Sequence, residues 1–346
     1  MSGATDKGTI DAAALRRHWK SGVTELQPGV VRLRGYPIEQ VIGGLDFAST
    51  TWLMLRGELP TPAQARLLEA ALVASVDHGP LSPSAATAHM AATCGIGING
   101  VLSASIALLG DHHGGAGQQC MEMFLALAAR IDGDADVERV VAGEFDRREA
   151  VGEKFVAGYG KHLHPVDPRA ARLMELMREA RAEGVIEGRF AHIAQAIEDE
   201  LKRRKGRLIP LNIDGATAVV LAELGFTPPH ARGLFILGRM VGLMAHARAE
   251  MLRGTRNKSP IPPGVLFDYE GPPPRHLRWA GRAGGCACSY TRGFWACAKT
   301  RSRGSGLLGR GCVVAAKLRR RTAIPPAGEN RRLCRAGAGA PGNHTP

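Results

Sequence analysis

Between residues 38 and 253 the chain is a nearly unbroken series of segments with helical apolar spacing, and no strands alternate with them. That periodicity constrains the fold more than any other feature. In TPAQARLLEAALVASV, residues 61–76, Ala65, Leu68, Ala71 and Leu72 fall at i, i+3, i+6 and i+7, an apolar stripe along one helix face. EQVIGGLDFASTTWLMLRG, INGVLSASIALLG and PPHARGLFILGRMVGLMAHARAEML also read as helical, and Pro and Gly punctuate the series in GELPTP and GFTPPH. GVVRLRGY near the start is the one convincing strand. A parallel α/β sheet needs strands alternating with helices, so its absence here predicts an all-α protein. At 346 residues there is chain enough for one large or two ordinary domains.

The pattern stops after FDYEGPPPR. Of the 45 Lys+Arg and 32 Asp+Glu behind the net charge of +13, fifteen cations but only one acid, Glu329, lie from Arg275 onward. The body is therefore near neutral and the basic character belongs to the tail, which excludes specific nucleic-acid binding by the body and leaves the tail only non-specific contact. Five of the seven cysteines also lie there, with no C-x-x-C pair to favour zinc. Residues 275–346 are read as an irregular extension, disordered or translated out of frame. Cys94 and Cys120, isolated in the body, suit a reducing compartment. No run of 18 apolar residues predicts a membrane span, and MSGATDKGTIDAAALRRHWK has no signal-peptide core, so a cytoplasmic protein is expected.

Four polar clusters interrupt the apolar body: VDHGP with His78; LGDHHGGAGQQC with His112 and His113; GYGKHLHPVDPRA with Lys161, His162, His164, Asp167 and Arg169; and PLNIDGA with Asp214, followed a helix later by Arg239 and His246. Each has a structural reading. His78 is placed to close a helix, Asp214 to cap the one that follows it, and His246 to be buried among apolar neighbours. HHGGAG lacks the Lys-Ser/Thr of a phosphate loop and the His spacing of a helical metal site, so no metal is expected.

The order RGYPIEQVIGG, LRGELPT, DHG, HHGGAG, GYGKHLHPVDPR, LNIDGA and GRMVGLMAHARAE resembles the citrate synthase family over residues 24 to about 274. It is most similar to the short members of the citryl-CoA lyase type, which end near FDYEGPPPR. The resemblance implies a helical homodimer. Residues 1–23 are then an N-terminal extension and 24–274 the catalytic region, with a small CoA-binding subdomain at about 115–225. The implied activity is that of a citrate synthase, which joins acetyl-CoA to oxaloacetate as citryl-CoA and then hydrolyses the thioester, or of a citryl-CoA lyase, which reverses the joining step. A 2-methylcitrate-forming relative and a catalytically impaired homologue are the alternatives.

The implied roles follow the chemistry. A thioester methyl is a very weak carbon acid, so its proton requires a carboxylate base and a donor for the enolate oxygen. Asp214 matches the family's base and His113 the donor, while Arg169 and Arg239 match arginines that bind oxaloacetate carboxylates and His78 a histidine that contacts the keto acid. The family's general acid is a histidine directly after the GYG element, where this chain has Lys161. His162 takes that role in our reading, with Lys161 and His164 as alternatives. In KRRKGR, Lys202, Arg203, Arg204, Lys205 and Arg207 form either a solvated helix end or contacts to the CoA phosphates. No tightly bound cofactor is implied: the CoA thioester enters as substrate.

Overall fold

Thr61 and Gln64 begin helix α3 (Pro62–Ser75) with a reciprocal cap, the Thr61 hydroxyl accepting from the Gln64 N–H at 3.2 Å and the Gln64 Oε1 from the Thr61 N–H at 2.9 Å. Its stripe turns inward as the spacing predicts, with Ala65, Leu68 and Ala71 buried and Leu72 partly so. The structure is a computed structural model describing residues 16, 18–131, 137–160, 165–262 and 264–275, and the backbone of 287–291 and 294–298. It comprises two compact units, residues 1–267 and 268–346.

The first unit is mainly helical. A small antiparallel sheet of β1 (Thr24–Gln27), β2 (Val30–Leu33) and β3 (Tyr36–Pro37) precedes the helices, so the single expected strand GVVRLRGY is split by a turn at Arg34 and Gly35, both at positive φ. The helices are α1 (Ile38–Val41), α2 (Phe47–Arg56), α3, α4 (Pro83–Ala92), α5 (Ile98–Ile106), α6 (Ala116–Ala128), α7 (Val137–Ala150), α8 (Pro168–Ala182), α9 (Arg189–Lys205), α10 (Ile213–Glu223) and α11 (Pro228–Arg253). The segment expected as one helix from Glu39 breaks at Gly43 and Gly44, and Asp46 restarts it by accepting from the Ser49 N–H at 2.6 Å.

α10 is apolar on every side and buried throughout its middle, which places it at the centre of the unit, packed by α3, α6, α8 and α9. The long α11 crosses α3, α4, α5 and α6, and a second apolar cluster of Ala85, Ala88, Val101, Leu243 and Ala247 joins it to α4 and α5. The N-terminus of α10 and the middle of α11 therefore share neighbours, and the polar clusters gather around them. No helix among the described residues is long and apolar enough to cross a membrane.

In the second unit the expectation of an irregular tail needs one correction. Ala287–Thr291 (β4) and Phe294–Ala298 (β5) pair as an antiparallel hairpin. The two segments carry Tyr, Thr, Phe and Trp on either side of Arg-Gly, and strand-favouring residues flanking a two-residue Gly-containing break make a hairpin signal that the overall Arg, Gly and Cys bias obscured. The reading of the remainder as disordered or out of frame falls outside the described residues.

Candidate active site

His113 follows α5 and precedes α6. Its Nε2 accepts from the Ser84 N–H at 3.3 Å and lies 2.9 Å from the Ser84 hydroxyl, at the first turn of α4. With Nε2 occupied as an acceptor, the neutral ring carries its proton on Nδ1 and offers a donor there. Burial, then the nearby Arg239 charge, lower its pKa from the ordinary value, which keeps the imidazole neutral. His112 beside it is exposed. At Gly115 a Cβ would lie 2.8 Å from the backbone of Asp111, so the turn itself requires glycine.

Asp214 does not cap α10, as one reading of the sequence had it. Asn212 does, its side-chain oxygen accepting from the N–H groups of Asp214 at 2.9 Å and Gly215 at 3.2 Å. That leaves Asp214 half-buried in the first turn with its carboxylate released from capping. The GYG element is fastened to the same place: the Asn212 N–H donates to the Gly158 carbonyl at 2.9 Å, the Asn212 amide to the Gly160 carbonyl at 2.9 Å, and the Gly160 N–H to the Pro210 carbonyl at 2.8 Å. The contact needs two glycines. Gly158, at φ +83°, would place a Cβ 2.5 Å from the Cys120 Sγ and 2.9 Å from the Gly215 Cα. Gly158→Ala is expected to destabilise the chain by about 2 kcal/mol or more, measured by denaturant unfolding.

Arg239, 2% exposed, is the largest fully buried side chain. Its Nε donates to the Ser75 carbonyl at 3.0 Å and its guanidinium lies 4.7 Å from the Phe235 ring centroid. Burial lowers its pKa, while the charges of Asp214 and Asp77 act in its favour. The Nη side of the fork has no hydrogen-bond partner among the described residues, and the charge of Arg239 interacts with both His113 and Asp214.

Arg169 sits at the N-terminus of α8, capped by the buried Asp167. The Asp167 carboxylate accepts from Arg169 Nε at 3.0 Å and Nη2 at 2.9 Å, and Arg169 Nη1 donates to the Asp77 carbonyl at 2.9 Å and approaches His78 Nδ1 at 3.4 Å. Because an arginine only donates, His78 accepts on Nδ1 and its neutral ring holds the proton on Nε2. Arg169 is thus more committed to its own protein than Arg239, and orients His78.

His78, His113, Arg169, Asp214 and Arg239 come together in this way. Lys161, His162 and His164 lie outside the described residues. The basic cluster ending α9 lies elsewhere and divides in two. Arg203 pairs with Glu200, and Arg204 with Glu200, Asp146 at 2.6 Å and Glu149 at 3.0 Å, tying α9 to α7. Lys202, Lys205 and Arg207 are exposed and have no ion pair among the described residues. No group of three or more His, Cys, Asp and Glu among the described residues could hold a metal ion.

The family described as "Citrate synthase, C-terminal domain" matches residues 44–261, which contain all of these side chains. The chain belongs to the citrate synthase family. The citrate synthase of Deinococcus radiodurans is 30% identical over 204 residues, 58% of this chain and 51% of that one. The putative citrate synthase 2 of Mycobacterium tuberculosis is 29% identical over 227 residues, 65% of this chain and 56% of that one. The chain thus spans about half the length of the curated relatives it matches. Among solved structures, citryl-CoA lyase from Hydrogenobacter thermophilus is 33% identical with a TM-score of 0.66, the match covering 75% of this chain and 97% of that one. ATP citrate lyase from Methanothrix soehngenii has the same fold at 20% identity and a TM-score of 0.63, over 76% of this chain and 45% of that one.

In this member of the citrate synthase family the sequence reading missed Ser84, Asn212 and Asp77. Asn212 was findable, because an Asn two residues before the expected cap is an equally good cap. Ser84 and Asp77 carry no local signal of their roles, which depend on partners far along the chain.

Proposed function

We propose that the chain breaks the carbon–carbon bond of citryl-CoA to give acetyl-CoA and oxaloacetate, and runs the same step in reverse. The arrangement that carries this reading is His113, made a neutral Nδ1–H donor by Ser84, beside the buried Arg239 and the carboxylate of Asp214. These are a donor for a thioester oxygen, a cation for a substrate carboxylate and a base for a carbon acid. The lyase direction is favoured by the 33% identical citryl-CoA lyase, which is matched over 97% of its length, whereas the citrate synthase of Deinococcus radiodurans is matched over 51% of its own.

In cleavage, a base takes the proton of the citryl hydroxyl, the oxaloacetate carbonyl forms, and the electron pair of the broken carbon–carbon bond moves through the acyl carbon onto the thioester oxygen. His113 Nδ1–H stabilises that oxygen, and Asp214, protonated at this stage, gives its proton to the enol carbon to make the methyl group. His162 fills the place of the hydroxyl base, with Lys161 and His164 as alternatives, and the His78 Nε2–H contacts the keto acid. An ammonium at Lys161, with its higher ordinary pKa, is a poorer proton carrier at neutral pH. Arg239 binds one carboxylate through its open Nη donors, and Arg169 contributes what its pairing with Asp167 leaves free.

CoA enters as substrate, its phosphates meeting Lys202, Lys205 and Arg207; Arg203 and Arg204 fix the helix that carries these. The CoA-binding part spans about residues 115–225 of the catalytic region 24–274. A cytoplasmic homodimer fits this reading, supported by the exposed apolar residues Val241, Met244, Met251 and Leu252 along α11.

The step common to both directions is enolisation, and solvent exchange tests it. Acetyl-CoA held with the full chain and an unreactive keto-acid analogue in heavy water is expected to take up deuterium at its methyl carbon, followed by mass spectrometry. No uptake above the enzyme-free rate would contradict the proposal.

A further inference from the structure

A row of side chains leads from the candidate site into the protein behind it. The Asp77 carbonyl accepts from Arg169, and its carboxylate accepts from the Gly79 N–H at 3.1 Å and from His246 Nε2 at 2.9 Å. His246 Nδ1 lies 3.1 Å from His89 Nε2, and His89 Nδ1 lies 2.8 Å from Glu250 Oε2. Glu250 is 1% exposed and also meets Lys258 Nζ at 3.0 Å and Arg253 Nη1 at 3.3 Å. The sequence suggested only a buried structural role for His246. It is instead half-buried, and both of its ring nitrogens are engaged.

A carboxylate stands at each end of this row. Lys258 foremost, and His89 with it, hold the Glu250 carboxyl down at about 2 despite burial. At Asp77 burial opposes the charge, but hydrogen bonds from His246 and from the backbone of His78 and Gly79 outweigh it and keep the carboxyl below its usual range. The charges that face the row are Lys258 and Arg253 at the Glu250 end and Arg169 at the Asp77 end.

We propose that Glu250, His89 and His246 form a positioning network that acts through Asp77 to fix the turn carrying His78, and so sets the geometry in which His78 and Arg169 receive the keto acid. This rests on the proposed function, because it presumes that oxaloacetate is the ligand of those two residues. The argument lies in the connections: Asp77 is fastened on one side to Arg169 through its carbonyl and on the other to His246 through its carboxylate. α4 and α11 thereby fix a turn that otherwise leaves the end of α3 as an open loop. His246 and His89 are positioning residues, distant from the reacting carbon.

The test compares the full chain with His246→Phe, which removes both links, and His246→Gln, whose amide can still donate to Asp77. Oxaloacetate binding is measured by calorimetry, and KM and kcat for oxaloacetate and acetyl-CoA in the joining direction. His246→Phe is expected to weaken oxaloacetate binding and raise its KM by on the order of tenfold to a hundredfold, with the acetyl-CoA KM within about twofold, and His246→Gln to recover most of the loss. Oxaloacetate binding within about twofold of the parent chain, or an equal rise in both KM values, would overturn the inference. Should His246→Phe not fold, His246→Leu, which removes the same two links with a smaller side chain, is expected to show the same selective loss and decides by the same criteria. A parent chain that neither binds oxaloacetate nor turns over any substrate would sink the proposed function and this inference with it. A parent that does both while the variants match it would sink the inference alone.

Discussion

Asp214→Asn is expected to leave a folded chain whose turnover has fallen by about a thousandfold or more, because the substitution removes the carboxylate proposed to take or return a proton at the acetyl carbon. The cap of α10 belongs to Asn212, so the exchange leaves the helix N-terminus satisfied, and thermal unfolding is expected to move by little. Those two measurements separate chemistry from folding. A variant that keeps its turnover within about tenfold of the parent would remove Asp214 from the mechanism. A large fall in stability instead would return it to the structural role that the sequence also allowed.

His113→Ala is expected to cost about a hundredfold to a thousandfold in kcat, the loss that follows removal of one preorganised donor to a developing oxyanion. Ser84→Ala is expected to cost less, since the Ser84 N–H still reaches Nε2 and still holds the tautomer. The pH dependence has a definite sign. Burial and Arg239 lower the His113 pKa below its ordinary value of 6.5, so the unfolded chain takes up this proton before the folded one does. Its contribution to stability is complete above 6.5 and is lost as the pH falls below that towards the folded value. Protonation also puts a hydrogen on Nε2 against the Ser84 N–H, two donors face to face. The His113 ring, followed by NMR, is therefore expected to stay neutral as the pH drops through 6.5 and to take up its proton only in more acid solution. A His113 ring that titrates at the ordinary histidine value would contradict the burial argument.

Much of this architecture is legible in the chain because periodicity and capping are local. The stripe of α3, the Pro and Gly stops and the wholly apolar α10 follow from residues within one or two turns of each other. The site was legible in a different way. His78 and Asp214 each had a structural reading when taken singly, and it was the order of the polar clusters along the chain that favoured a shared site. What the sequence did not reveal is whatever depends on a partner distant in sequence. The tautomer of His113 is set by Ser84, 29 residues away, and His246 reaches Asp77 across 169 residues. Within KRRKGR, which the sequence left open between a solvated helix end and CoA contacts, Arg203 and Arg204 pair with acids of α7 and α9, a use of charge that composition does not distinguish from phosphate binding.

The central claim is that this site opens and closes the carbon–carbon bond of citryl-CoA. The full chain should be given synthetic citryl-CoA beside an enzyme-free control, and the products identified by mass spectrometry. The account expects acetyl-CoA and oxaloacetate in equal amounts, well above the control. Citrate with free CoA would mean that thioester hydrolysis, for which the account assigns no residue, is the activity, and no conversion above the control would contradict the claim outright.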